Sequence, residues 1–132
     1  MAIVNESGRY TPLGRLASGG MGTVCLARMT GSAGFSRLVA VKRLHPELAG
    51  QRECIGMLVD EARLAASLQH ANIVNTLDLT VSDGGFNLVL EYIEGAALDV
   101  LTGAARKARE RMPAPIALAI VQGVLRGLDA AH

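Results

Sequence analysis

The stretch Ser18-Gly19-Gly20-Met21-Gly22-Thr23-Val24-Cys25-Leu26-Ala27-Arg28 packs three glycines into a turn and follows them with a short run that opens on β-branched residues. That run reads as a strand. Upstream, Tyr10 to Leu16 reads as an irregular or edge strand, because Pro12 and Gly14 interrupt it. The glycines therefore sit between two strands, where the absence of Cβ lets backbone N–H groups approach phosphate oxygens. A glycine hairpin without any ligand is the plainer explanation, since glycines are common in turns. A dinucleotide fold needs a helix directly after the glycines and an acid about 20 residues on. Here a strand follows, and the next acid is Glu47. A Walker loop is excluded as well, because no Gly-Lys-Ser or Gly-Lys-Thr follows.

Beyond the polar loop Thr30-Gly31-Ser32-Ala33-Gly34, a third strand runs from Arg37 to Leu44, and His45-Pro46 ends it. Alternation places Leu38, Ala40, Lys42 and Leu44 on one face, so a cation shares a face with three apolar side chains. An edge lysine that discourages aggregation would explain Lys42 by itself. A helical pattern from Arg52 to Leu68 follows, with Cys54, Met57, Leu58, Leu64, Ala65 and Leu68 on its apolar stripe. Glu61 lies in that stripe. A buried carboxylate costs several kcal/mol unless a cation and hydrogen bonds meet it, which makes Lys42 its natural partner. The alternative is that Glu61 turns to the edge of the stripe and reaches water.

After His70-Ala71-Asn72 the period returns to two over Leu77, Leu79 and Val81, and again over Phe86, Leu88, Leu90 and Tyr92. Ser82-Asp83-Gly84-Gly85 between them is Asp-Gly hairpin chemistry. The segment Glu94-Gly95-Ala96-Ala97 then leads to two helices, Leu98 to Arg109 and Ala114 to Ala131, the second introduced by Pro113 and Pro115. Apolar residues spread around most of the last helix, as in a helix that expects cover on several sides. Arg106, Lys107, Arg109 and Arg111 read as a solvated basic face, with docking as the alternative.

The 132 residues fit one compact domain or part of one. Half are hydrophobic, although twenty are Ala, and this is too apolar for a disordered chain. Two Tyr, two Phe and no Trp offer no ring platform for stacking bases, and a net charge of +1 does not suit a phosphate-tracking surface, so no nucleic-acid partner is expected. The charge is uneven: residues 7–46 hold six Lys or Arg and no acid, while the rest holds seven bases and twelve acids. The N-terminal third therefore expects an anion, unless the bases form a merely solvated run. No unbroken apolar run approaches the roughly 18 residues of a membrane span, and the start lacks a targeting pattern. Cys25 and Cys54 are isolated thiols. A reduced, cytoplasmic chain without a membrane partner is the expectation.

Taken in series, these segments resemble the N-terminal lobe of a protein kinase of the bacterial serine/threonine type. Ala17-Ser18-Gly19-Gly20-Met21-Gly22-Thr23-Val24 is similar to the Gly-rich loop G-x-G-x-x-G-x-V, and Val39-Ala40-Val41-Lys42 to V-A-I-K. Glu61 matches the glutamate of the family's C helix, His70-Ala71-Asn72-Ile73-Val74 the segment after it, and Leu90-Glu91-Tyr92-Ile93 the gatekeeper and hinge. The resemblance implies an α+β fold over residues 8–132: a five-stranded antiparallel sheet with its C helix (8–90), a hinge (91–95) and two helices opening the C-lobe (96–132). It also implies ATP as ligand. Lys42 would hold the α- and β-phosphates and pair with Glu61. Ala17, Ser18, Gly19, Gly20, Met21 and Gly22 would cover the phosphates, Val24 and Ala40 would roof the adenine, Leu90 would be the gatekeeper, and the backbone of Glu91 and Ile93 would bind the base edge.

The departures matter too. Ala17 replaces the first loop glycine, and its Cβ can stiffen the loop; Ala97 stands where a polar residue often meets the ribose. No His-Arg-Asp or Asp-Phe-Gly occurs, and Asp83-Gly84-Gly85-Phe86 is a hairpin turn rather than a substitute. Catalytic base and magnesium ligands are thus absent, and the resemblance implies a chain that binds ATP but does not itself phosphorylate, with Mg only if the missing lobe is supplied. The alternative is a non-catalytic nucleotide-binding or interaction module whose last helix pairs with a protein partner.

Overall fold

A computed structural model describes residues 8–82 and 85–132. The centre of the hairpin turn read at Ser82–Gly85 lies outside the described residues. Five strands form one antiparallel sheet: β1 (Tyr10–Ser18), β2 (Gly22–Thr30), β3 (Ser36–Leu44), β4 (Thr76–Ser82) and β5 (Gly85–Glu91), in the order β1-β2-β3-β5-β4. Four helices accompany them: α1 (Pro46–Ala49), α2 (Arg52–Ala66), α3 (Leu98–Ala108) and α4 (Ala114–Ala131). The polar loop after β2 closes as a 3-10 turn over Ser32–Gly34, with Ala33 at φ 55°. The short α1 is an addition to the sequence expectation; Pro46 at its first turn is preset for a helix.

The sheet buries residues on both faces. Tyr10, Ala27, Val39, Val41 and Val89 form an outer cluster, with Cys25 and Met29 packed against it. Leu44 and Leu88 join Leu58 and Ala62 of α2 in an inner cluster, flanked by Cys54, Ile55, Leu79, Phe86 and Leu90. Strand alternation makes this division: in β3, Val39 and Val41 face outward while Ala40, Lys42 and Leu44 face α2. Tyr10 spans the outer cluster, and its hydroxyl donates to Asp78 Oδ2 at 2.8 Å.

The helical stripe is displaced from the expected one. Leu58 and Ala62 are the buried positions of α2, whereas Met57 and Leu64 are 59% and 69% exposed. The helix rests on the sheet along the line Cys54/Ile55, Leu58 and Ala62, a narrow stripe of i, i+3 and i+4 steps that leaves Met57 and Leu64 on its flanks.

The chain divides into two compact units, one ending at Gln69 and resuming over Val74–Tyr92, the other taking His70–Ile73 and Ile93–His132. Within the second unit the His70–Ile73 segment packs on α4 at a glycine: a Cβ on Gly127 would come within 2.9 Å of the Asn72 carbonyl oxygen. Ile116, Leu118, Val121, Val124, Leu125 and Leu128 of α4 are each more than half exposed. By length and composition α4 is apolar enough to cross a membrane, with a mean hydropathy of 1.3 over 18 residues, which corrects the expectation that nothing in the chain approaches such a span. The expectation counted unbroken runs and so missed an apolar average interrupted by Gln122, Arg126 and Asp129.

Candidate functional site

Lys42 leaves β3 on the face that carries α2. Its Nζ lies 2.9 and 2.8 Å from the two carboxylate oxygens of Glu61, donating to both. The expected pairing is present, but the expected burial is not: the side chains of Lys42 and Glu61 are 26% and 48% exposed. Glu61 sits one position before Ala62 and three after Leu58, at the rim of the buried stripe, so its carboxylate keeps part of its hydration while meeting the cation. This corrects the reading of a fully buried acid.

Sheet register gathers further residues of the same face around the pair. Lys42 is opposite Val24 on β2 and Leu88 on β5, and Ala40 is opposite Leu26 and Leu90. Side chains of opposed residues share a face, so Val24, Ala40, Lys42 and Leu90 stand on one surface together.

The glycine turn caps one end of this surface. Gly19 N–H donates to the Gly22 carbonyl at 2.9 Å, closing the turn between β1 and β2. Gly19 and Gly20 have open space where a Cβ would point, so another molecule can approach their backbone. Gly22 differs: a Cβ there would fall 2.1 Å from the Arg43 carbonyl oxygen, so its glycine is required by the close approach of β3. Met21 is 40% exposed. Ala17 pairs with Val24 after a register irregularity between Arg15 and Ala17, and Ser18 pairs with Thr23, their hydroxyls 3.4 Å apart.

Two residues outside the sequence reading hold the ends of the site. His45 reaches the glycine turn twice, its ring Nε2 2.8 Å from the Gly19 carbonyl oxygen and its backbone N–H donating to Met21 O. Asn75 fixes Glu91: Asn75 N–H and its Nδ2 donate to one Glu91 carboxylate oxygen at 2.8 and 3.1 Å, and Glu91 N–H returns a bond to Asn75 O. Neither had a signal in periodicity, because each acts on a partner distant in sequence, His45 on the backbone of Gly19 and Met21 and Asn75 on the carboxylate and backbone N–H of Glu91. Ile93, the other expected hinge residue, belongs to the second unit and is 59% exposed.

A strand lysine braced by a helix carboxylate beneath a glycine turn is the arrangement of a protein kinase N-lobe. Residues 10–132 match the family described as protein kinase domain, and the chain belongs to that family. It is 37% identical over 130 residues to tyrosine-protein kinase MasK of Myxococcus xanthus (strain DK1622), covering 98% of this chain and 20% of that protein. It is 36% identical over 126 residues to serine/threonine-protein kinase pkn2 of Myxococcus xanthus, covering 95% of this chain and 14% of the relative. The fold superposes on the crystal structure of the M. tuberculosis PknI kinase domain with a TM-score of 0.71 at 30% identity, over 94% of this chain and 47% of that one. The chain thus spans a fifth or less of these two curated relatives and about half of the solved domain.

Proposed function

We propose that this chain is the ATP-binding half of a protein kinase catalytic domain. The observation that carries the reading is the Lys42–Glu61 pair, which holds an ammonium group in one position on the face shared by Val24, Ala40 and Leu90. An oriented cation beneath a glycine turn suits the α- and β-phosphates, and the apolar side chains suit a purine. Gly19 and Gly20 cover the phosphates together with Ala17, Ser18, Met21 and Gly22. Leu90 is the gatekeeper, and Glu91, locked by Asn75, presents its backbone to the base.

Magnesium does not fit the residues present. Among the described residues no group of three or more His, Cys, Asp or Glu could hold a metal, and neither of the family's metal-binding and base-bearing tripeptides occurs in the sequence. The chemistry these residues perform is binding and orientation of a nucleotide. Phosphoryl transfer belongs to the complete domain, with serine or threonine as acceptor, and a reduced cytoplasmic setting agrees with the free thiols Cys25 and Cys54.

Isothermal calorimetry with ATP tests the reading. Saturable binding that Lys42→Ala weakens about tenfold or more supports it, a loss of about 1.4 kcal/mol. Binding that is absent, or indifferent to Lys42→Ala, overturns it.

A second reading is favoured by α4, whose Leu118, Leu125 and Leu128 are 64%, 58% and 51% exposed. Here the chain is an interaction module that pairs through this helix. Sedimentation of a stable monomer at high concentration counts against it.

A further inference from the structure

The peptide that joins Gly19 to Gly20 has a glycine on each side and open space where either Cβ would stand. With no Cβ to oppose it, that peptide plane can turn over at little cost, so the local sequence does not fix which way its N–H points. The restraint comes from a residue twenty-five positions further on. His45 Nε2 lies 2.8 Å from the Gly19 carbonyl oxygen, and because a carbonyl only accepts, the ring nitrogen facing it carries the proton. Across a trans peptide the N–H stands opposite the carbonyl, so Gly20 N–H is turned away from His45. Among the described residues it has no protein acceptor.

The anchor is itself held. His45 N–H donates to Met21 O at 3.1 Å, and the His45 carbonyl accepts from Leu48 and Ala49 N–H at 2.9 and 3.0 Å, which makes it the residue that opens α1. Its ring thus reaches the turn from the seam between β3 and α1, where His45 lines the outer side of the sheet together with Thr23 and Cys25. The Lys42–Glu61 pair occupies the inner side, the side of α2.

We propose that His45 is a positioning residue for phosphate binding: by drawing the Gly19 carbonyl to the outer side, it keeps the Gly20 N–H turned to the side of Lys42, where it donates to a phosphate oxygen. The inference rests on the reading of that face as a nucleotide site. His45 touches no nucleotide atom and acts through one peptide plane. A donor already turned into place binds its acceptor without the cost of ordering a Gly-Gly peptide first.

Three variants isolate the ring contact, since all of them keep the backbone bond to Met21. His45→Phe keeps a ring and removes the donor. His45→Gln places an amide N–H at about the reach of Nε2, and His45→Asn holds the same amide one methylene short. Asn is also a favoured helix N-cap, so it leaves α1 in place and carries the comparison with Gln where His45→Phe disturbs the fold. The measurement is isothermal calorimetry of the full 132-residue chain with ATP and, separately, with adenosine, which has no phosphate. His45→Phe and His45→Asn are expected to weaken ATP binding about three- to tenfold, as the loss of one hydrogen bond does, and His45→Gln to stay within about twofold of the wild type. Adenosine binding is the same in all four proteins. Adenosine weakened in step with ATP, or His45→Gln as weak as His45→Asn, overturns the proposal. ATP binding that Lys42→Ala weakens but His45→Phe and His45→Asn leave unchanged overturns it and spares the nucleotide reading, whereas a wild type that binds no ATP overturns both.

Discussion

Replacing Glu61 with Ala measures how strongly the Lys42–Glu61 pair contributes to stability. At 2.8 Å two unit charges attract by about 1.5 kcal/mol in a water-like dielectric. Ordering the lysine chain offsets part of this, and with 26% and 48% of the two side chains exposed, solvent screens the rest. The expected coupling is therefore about 0.5–1 kcal/mol, well below the roughly 3–5 kcal/mol lost when a dry pair is broken. The assay is a double-mutant cycle of Lys42→Ala, Glu61→Ala and the double variant by urea denaturation. Glu61→Ala alone lowers Tm by roughly 2–6 °C. In 1 M NaCl the coupling falls further, since the Debye length is then about 3 Å. A coupling above about 3 kcal/mol refutes the reasoning, because it requires a desolvated pair, and a coupling indistinguishable from zero refutes the pair itself.

Other perturbations test other parts of the fold. Burial, reinforced by the Asp78 carboxylate that its hydroxyl bonds, pushes the Tyr10 phenol up to about 12. Because this lies above the model-compound value of 10.0, the stabilisation is complete below about pH 10 and is lost as pH rises through about 12. Absorbance at 295 nm in a Tyr92→Phe background reads the Tyr10 titration directly, and a midpoint near 10 contradicts the assignment. Gly22→Ala drives a Cβ into the Arg43 carbonyl and costs about 2 kcal/mol or more, whereas Gly20→Ala, with open space, costs under about 0.5; equal losses in chemical denaturation disprove the contrast. Arg109 ends α3 in the left-handed region at φ 56°, so Arg109→Gly raises stability by about 0.5–1 kcal/mol. A lowered Tm contradicts that expectation.

The element order was legible because each strand carried its own period and each break its own turn chemistry. Arg52 to Leu68 was readable as a helix, but which of its flanks is buried was not: Met57 and Leu64 are as apolar as Leu58, and only docking on Leu44 and Leu88 selects Leu58 and Ala62. The same docking decided the fate of Glu61. A stripe drawn through Met57 and Leu64 puts the acid in its middle, while the true stripe puts it on the rim. The glycines were legible as a group but not singly: Gly22 is required by the backbone of β3, a contact with a residue twenty-one positions later.

By itself, the sequence determined that a cation on one strand and an acid on one helix are mutual partners, because each is out of place in its own apolar pattern and opposite charge is the cheapest remedy. It also determined the family, through the order and spacing of the segments around that pair. Tertiary structure alone decided how wet the pair is, and that His45 and Asn75 restrain the glycine turn and Glu91. Periodicity assigns a residue to a face. Which residues of distant strands meet there, and how much water remains between them, is set by register and by the angle at which the helix lands on the sheet.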